Sequence, residues 1–283
     1  MALSVQASGQ ACGAEVRGID LSQPFDDKTV AAIKAAWAEH LVLSFPGQDI
    51  SDGDLERFTT YFGALSEEPY FRPIEGQRYI AAIERRADET TPIFAESWHS
   101  DWSFKDAPPL GTCLYGKIIP PTGGDTLFAN QQMAFAQLPP EKQRELEAVK
   151  VIHSAAPAYA PDGLYGKEDD SAGRSMKPIV SEDARATQIH DLVRLNPDSG
   201  QKAVYGCMGY TIGVDGMDDE QGLALLQELH AWQTRPEFVY THKWQPGMLV
   251  MWDNRSVLHR ATGGYDGYDR LLHRTTVWDK QAA

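Results

Sequence analysis

The sequence predicts a mostly β protein with a few flanking helices, arranged as a double-sheet jelly roll. Three observations predict it. Short apolar runs recur along the chain, each closed by Gly, Pro, Asn or Asp, as strands joined by turns require. Only a few stretches carry helical periodicity. No linker or internal repeat divides the 283 residues, 42% of them hydrophobic, which is enough for one sizeable core. The chain is therefore expected to form a single domain over 1–283, and many short strands with few helices point to two facing sheets.

In chain order, Val16 to Leu21 reads as an early strand, and a helix follows from Asp26 or Asp27, with Val30, Ile33 and Trp37 at helical spacing. Leu41 to Phe45 is a buried strand stopped by Pro46-Gly47. Ser51 caps the next helix, with Asp54 in a capping-box position and Leu55, Phe58 and Phe62 on the inner face. Glu67 to Phe71 reads as a solvated turn with an aromatic anchor. Strands are expected over Arg78 to Arg85, Leu110 to Ile119 and Thr126 to Ala129, the last preceded by the turn Gly123-Gly124-Asp125. Helical sequence fills Gln132 to Val149, broken at Pro139-Pro140.

Val151 to His153 is a strand. Residues 154–177 are rich in Ala, Gly, Pro, Asp and Ser, which predicts a long loop and, from its position, an active-site lid. Asp191 to Leu195 and Lys202 to Cys207 form a hairpin across Pro197 to Gly200, and Asp218 to Trp232 is a helix with acidic residues at its start. Phe238 to Trp244, Leu249 to Trp252 and Arg270 to Trp278 close the chain as strands.

The chemistry centres on Trp98-His99-Ser100-Asp101-Trp102. In an extended strand His99 and Asp101 would share a face and could reach one ion together. His259, beyond Trp252-Asp253-Asn254-Arg255, supplies a third ligand, and two histidines with one carboxylate and open positions suit non-haem Fe(II). On the last strand, residues 270, 272, 274 and 276 share a face, with Arg270 and Arg274 roughly 13 Å apart by strand rise. Alternation does not decide which face is inside. Guanidiniums facing a core would need anions, one each. The remaining histidines, His40, His153, His190, His230, His242 and His273, read as packing or surface residues.

Bulk properties narrow the partners. A formal net charge of −14 argues against nucleic acid. There is no signal-peptide pattern and no apolar run of the ~20 residues that a membrane helix needs. Three scattered cysteines, Cys12, Cys113 and Cys207, are expected as reduced, buried thiols in a cytoplasmic protein.

Taken together, His99-x-Asp101, Gly123-Gly124-Asp125-Thr126, Trp252-Asp253-Asn254-Arg255, His259 and Arg270 resemble the TauD/TfdA family of Fe(II)- and 2-oxoglutarate-dependent dioxygenases. The likeness runs from Gly13 to the final strand and follows the taurine dioxygenase branch in order and spacing. It implies a double-stranded β-helix (jelly-roll) core, with iron held by His99, Asp101 and His259. It implies that Thr126 and Arg270 bind the distal carboxylate of 2-oxoglutarate. The resemblance further implies O2 as the oxidant, with succinate and CO2 released as a C–H of a small organic anion is hydroxylated. Arg274 falls where family members acting on sulfonates or carboxylates use an arginine for the substrate anion. Dimers or tetramers are the family's habit.

The pocket departs from the sulfonate pattern. Glu68 stands in place of a sulfonate-contacting histidine, Trp102 replaces a smaller aliphatic residue, Phe104 is retained, and Tyr210 replaces a phenylalanine. Glu68 is expected to point to solvent or to read a cationic group, and Trp102 to stack on an aromatic substrate. Sulfonates, aryloxyalkanoates and alkyl sulfate esters are the candidate substrates. A zinc hydrolase with the same three ligands, or a non-catalytic anion-binding jelly roll, are the readings outside this class.

Overall fold

A computed structural model describes residues 3–167 and 173–280. Strands β1 (Ser4–Ala7), β2 (Ala14–Arg17), β3 (Val42–Phe45), β4 (Ala81–Arg85), β5 (Gly111–Ile118), β13 (Leu249–Asp253) and β15 (Arg270–Val277) build a seven-stranded sheet in the order β1-β2-β3-β13-β5-β15-β4. A smaller sheet, β12-β6-β14, is made by Val239–His242, Thr126–Asn130 and Val257–Ala261. β7 (Lys150–Ser154) pairs with β8 (Thr187–Asp191) and β11 (Thr211–Val214), and β9 (Val193–Leu195) with β10 (Lys202–Val204).

Side-chain alternation assigns the two faces of the large sheet. Leu249 and Met251 of β13 and Cys113 and Tyr115 of β5 pack with Ile33 and Trp37 of helix α1 (Asp27–His40) and with Leu55 and Phe58 of helix α2 (Asp52–Thr60). Val250, Trp252 and Leu114 point the other way and meet Phe128 and Tyr240 of the smaller sheet. The core is thus split into a helix-covered layer and an inter-sheet layer, the jelly-roll arrangement.

The same alternation settles β15. Thr275 reaches Thr59 of α2 at 2.7 Å, and His273 Nδ1 lies 2.7 Å from Asp52 Oδ1. The odd-numbered residues therefore face the helices, and Arg270, Leu272, Arg274 and Thr276 face the interior. His273, expected as a packing or surface residue, has an acidic partner that lies far away in sequence.

Helix signals are met closely. Asp26 caps α1, Ser51 and Asp54 form the capping box of α2, and Asp218 caps the long helix α6 (Asp219–Gln233). The Gln132–Val149 stretch divides at Pro139-Pro140 into α3 (Gln131–Ala136) and α4 (Pro140–Glu147). The early strand lies at Ala14–Arg17 rather than Val16–Leu21, and β1, β8, β11 and β14 are additional strands.

Part of the expected lid, residues 168–172, lies outside the described residues. The rest of 154–177 is not structureless. It contains helix α5 (Ala156–Tyr159) and buries Tyr159, Tyr165 and Met176 in an aromatic cluster with Tyr70, Phe71 and Trp102. The three cysteines are buried free thiols. Among the described residues, no helix is long and apolar enough to cross a membrane.

Candidate metal and dicarboxylate site

A cavity of about 450 Å³ opens between the two sheets. His99, Asp101, His259, Thr126, Arg270 and Arg274 all reach its wall, from four separate stretches of chain.

His99 is not in a strand. It forms a single β-bridge with His259 of β14: His99 N–H donates to the His259 carbonyl at 3.0 Å, and His259 N–H donates back at 2.8 Å. The imidazole centroids end 4.2 Å apart. Asp101 lies in the turn that follows, where Trp102 takes a left-handed backbone with φ of 48°. Such a conformation is uncommon for a bulky residue and is often found at functional sites. The strand alternation expected for His99-x-Asp101 is thus replaced by a bridge and a turn, with the same convergence of side chains. Asp101 Oδ1 sits 3.7 Å from His99 Nε2 and 3.6 Å from His259 Nε2, and one ligand atom from each residue falls within 4.8 Å of the others.

Protonation suits metal ligation. His99 Nδ1 lies 2.9 Å from the Ser97 carbonyl, which can only accept, so Nδ1 carries the proton and Nε2 presents its lone pair. Burial pushes both histidines below the ordinary imidazole range, against the attraction of Asp101. Burial opposes ionisation of Asp101 too, but its neighbours, the Arg274 guanidinium foremost and the Thr112 hydroxyl among them, hold the carboxyl well below the usual range. Two neutral imidazoles and one carboxylate fit a divalent metal with open positions.

A hydrogen-bonded chain orients the carboxylate. Thr112 Oγ1 donates to Asp101 Oδ2 at 2.7 Å, Asn254 Nδ2 donates to Thr112 Oγ1 at 3.0 Å, and Trp252 Nε1 donates to Asn254 Oδ1 at 2.9 Å. Ser100 Oγ donates to the Asn254 carbonyl at 2.7 Å. Oδ2 is thereby occupied and Oδ1 is turned to the histidines. Thr112 carries no signal in the sequence, because nothing in the spacing of a threonine on β5 marks it as the partner of Asp101, and Asn254, part of the Trp252–Arg255 motif, gains its role only through Thr112.

The two arginines differ sharply. Arg270 is buried between the rings of Trp244 and Tyr265, at 5.9 and 5.8 Å. Its Nη2 donates to the Gly124 carbonyl at 3.3 Å, and its Nε has no partner. Among the described residues no carboxylate lies within ion-pair distance of it, and burial pulls its pKa down. Thr126 Oγ1 accepts from Trp244 Nε1 at 3.0 Å, which leaves its own proton free to donate. An uncompensated buried guanidinium beside a free hydroxyl fits an anionic carboxylate.

Arg274 is already paired. Its Nε donates to Glu68 Oε1 at 3.0 Å, and its Nη2 lies 3.1 Å from Asp101 Oδ1. Burial works against its charge, but Asp101 and Glu68 raise its pKa beyond the ordinary range. Glu68 is not in a solvated turn: it is buried, and its second oxygen accepts from Trp102 Nε1 at 2.6 Å. The cationic group it reads is Arg274. Trp102 and Tyr210 line the cavity, whereas Phe104 packs behind them, with its centroid 5.7 and 5.0 Å from theirs.

The chain matches known proteins over nearly its whole length. A sequence model described as taurine catabolism dioxygenase TauD, TfdA family matches residues 4–276. The chain is 34% identical to an alkylsulfatase of Acinetobacter baylyi, covering 94% of this chain and 81% of that protein. It is 33% identical to an alpha-ketoglutarate-dependent 2,4-dichlorophenoxyacetate dioxygenase of Cupriavidus pinatubonensis, covering 94% of each. Its fold is similar to a crystal structure of a taurine dioxygenase from Burkholderia xenovorans, with a TM-score of 0.81 and 26% identity over 99% of this chain and 90% of the other.

Proposed function

The chain belongs to the TauD/TfdA dioxygenase family, and from that premise we propose that His99, Asp101 and His259 hold its iron, Arg270 and Thr126 hold the far carboxylate of its cosubstrate, and a sulfate ester or aryloxyalkanoate is its substrate. The protein is an enzyme, an Fe(II)- and 2-oxoglutarate-dependent dioxygenase with a double-stranded β-helix core. The observation that carries the residue assignment is Arg270, a buried cation with no carboxylate within ion-pair distance among the described residues, in the same cavity as three converging metal-type ligands.

When bound, Fe(II) and 2-oxoglutarate supply an O2-dependent oxidation of a C–H bond, with release of succinate and CO2. The chain's own part is placement and exclusion of water. Nε2 of His99, Nε2 of His259 and Oδ1 of Asp101 form one face of donors. Arg270 and Thr126 fix the dicarboxylate at the other end. Phe71, Phe94, Trp102, Tyr159, Tyr165 and Tyr210 wall the remaining space and favour a flat or apolar body. The segment 154–167 covers this space through Pro157, Ala158, Tyr159, Leu164 and Tyr165, the part taken by a lid.

Two relatives support the substrate class: one is an alkylsulfatase and the other acts on 2,4-dichlorophenoxyacetate. Hydroxylation of the carbon bearing the ester or ether oxygen gives a product that collapses and frees sulfate or a phenol. A zinc hydrolase would leave Arg270 without an anion. The proposal extends to a cytoplasmic homo-oligomer, dimer or tetramer, an expectation from family resemblance that light scattering tests for the oligomer.

The test is succinate release with Fe(II), 2-oxoglutarate and O2 across alkyl sulfates, aryloxyalkanoates and taurine. Release matched one-to-one by sulfate or a phenol supports the substrate class. Release that neither class stimulates, in protein that binds 2-oxoglutarate, overturns it.

A further inference from the structure

Arg274 and Glu68 form a buried pair, with side-chain exposures of 6% and 3%. Burial raises the Glu68 carboxyl's pKa against the pull of Arg274, but both of its oxygens act as acceptors, one from Arg274 Nε at 3.0 Å and one from Trp102 Nε1 at 2.6 Å, which leaves no oxygen to carry a proton and fits the ionised form. Arg274 has a second carboxylate within reach, Asp101 at 3.1 Å. The position that sequence resemblance assigns to a substrate anion is therefore held by a group of the protein itself.

Charge balance points the same way. With Fe(II) and a doubly charged 2-oxoglutarate in place, the charges of Arg270, Arg274, Asp101 and Glu68 leave the site neutral. Without the Glu68 charge the same site carries one net positive charge, the condition that draws an anion into a buried place. A substrate anion docking on Arg274 would have to displace Glu68 and leave it buried without its partner, the costly way to break such a pair.

We propose that Glu68 is the specificity-determining residue of this dioxygenase: it serves Arg274 as a built-in carboxylate, so that the part of the substrate meeting Arg274 is uncharged and any anionic group of the substrate docks elsewhere in the cavity. The inference rests on the dioxygenase reading above. Trp102, donating to Glu68 and lying 5.3 Å from the Arg274 guanidinium, fixes the pair against the cavity wall. The surface offered beside the metal is accordingly aromatic and neutral.

The test uses the protein loaded anaerobically with Fe(II) and 2-oxoglutarate and titrated with pentanesulfonate or with pentanol. Binding is read from the shift of the metal-to-2-oxoglutarate absorption band. In Glu68→Gln, which keeps the shape and still accepts from Trp102, the preference for sulfonate over alcohol rises by roughly tenfold or more, as expected when a charge-assisted contact is freed. Glu68→Asp, which keeps the charge but withdraws it by one methylene, shifts the preference in the same direction and serves if the amide variant does not fold. An unchanged or lower preference in the folded variants overturns the proposal. If the band itself fails to form in wild type, the dioxygenase site assignment fails instead, so the two failures are distinguishable.

Discussion

His99 and His259 exchange both of their backbone hydrogen bonds, at 3.0 and 2.8 Å, although 160 positions of sequence separate them. A bridge of this kind fixes two imidazoles side by side through the main chain, independently of the side chains themselves. Replacing either ring with a methyl group removes a proposed metal ligand and leaves the bridge in place. His99→Ala and His259→Ala are therefore expected to stay folded, with thermal midpoints near that of metal-free wild type, and to lose Fe(II) binding. Calorimetry and metal titration check this; loss of folding in both would contradict it.

Thr112 acts through Asp101. Its hydroxyl donates to Oδ2, and Asn254 donates to Thr112 in turn. Thr112→Val keeps the shape and deletes the donor, so Asp101 is free to rotate. Outer contacts of this type are worth roughly 10- to 100-fold in metal affinity. The expected result is weaker Fe(II) binding of that order with little change in 2-oxoglutarate affinity at saturating metal, and Thr112→Ser restores most of it.

Gly123 seats the turn that holds Arg270. Its φ is 66°, and a Cβ there would lie 2.4 Å from backbone atoms of Gly264. The neighbouring Gly124 accepts from Arg270 and donates to the Gly263 carbonyl at 3.0 Å. Gly123→Ala must displace this turn, at a cost of about 1–3 kcal/mol for the strained backbone. A lower unfolding midpoint together with a raised Kd for 2-oxoglutarate is expected; denaturant unfolding and equilibrium titration measure the two effects.

Two buried histidines away from the metal ligands set a pH dependence. Burial lowers His153 to about 3 and His242 to about 4, from an ordinary 6.5. Between those values the unfolded chain binds protons that the folded chain refuses, so stability falls as pH drops from about 6.5 toward 4 and is level above that window with respect to these groups. Urea unfolding at pH 7.5 and 5 is expected to show the loss, and His153→Gln and His242→Gln each to reduce it. Equal pH dependence in wild type and variants would contradict the assignment.

Local signals carried much of this fold into view. Ser51 with Asp54, Asp26 and Asp218 mark helix starts through bonds made within three residues, so the sequence displays them directly. The candidate metal-site residues could be picked out because His99-x-Asp101 is joined by a second constellation, Trp252 to His259, and the three side chains converge. What stayed hidden depends on long-range pairing. Nothing near Glu68 announces that Arg274, 206 positions away, neutralises it. The direction of the β15 arginines was undecided because both faces of that strand are buried, one by helix α2 and one by the smaller sheet. β14, with the sequence Val-Leu-His-Arg-Ala, is too short and mixed to read as a strand without its neighbour β6.

The most direct measurement is an anaerobic titration of the metal-free protein with Fe(II) and then 2-oxoglutarate, followed by visible absorption, in wild type, His99→Ala and Arg270→Ala. The site described above predicts a metal-to-ligand charge-transfer band in wild type, none in His99→Ala, and in Arg270→Ala a band that appears only at much higher 2-oxoglutarate. Folded wild-type protein that shows no band, or an Arg270→Ala variant that binds 2-oxoglutarate as tightly as wild type, would contradict it.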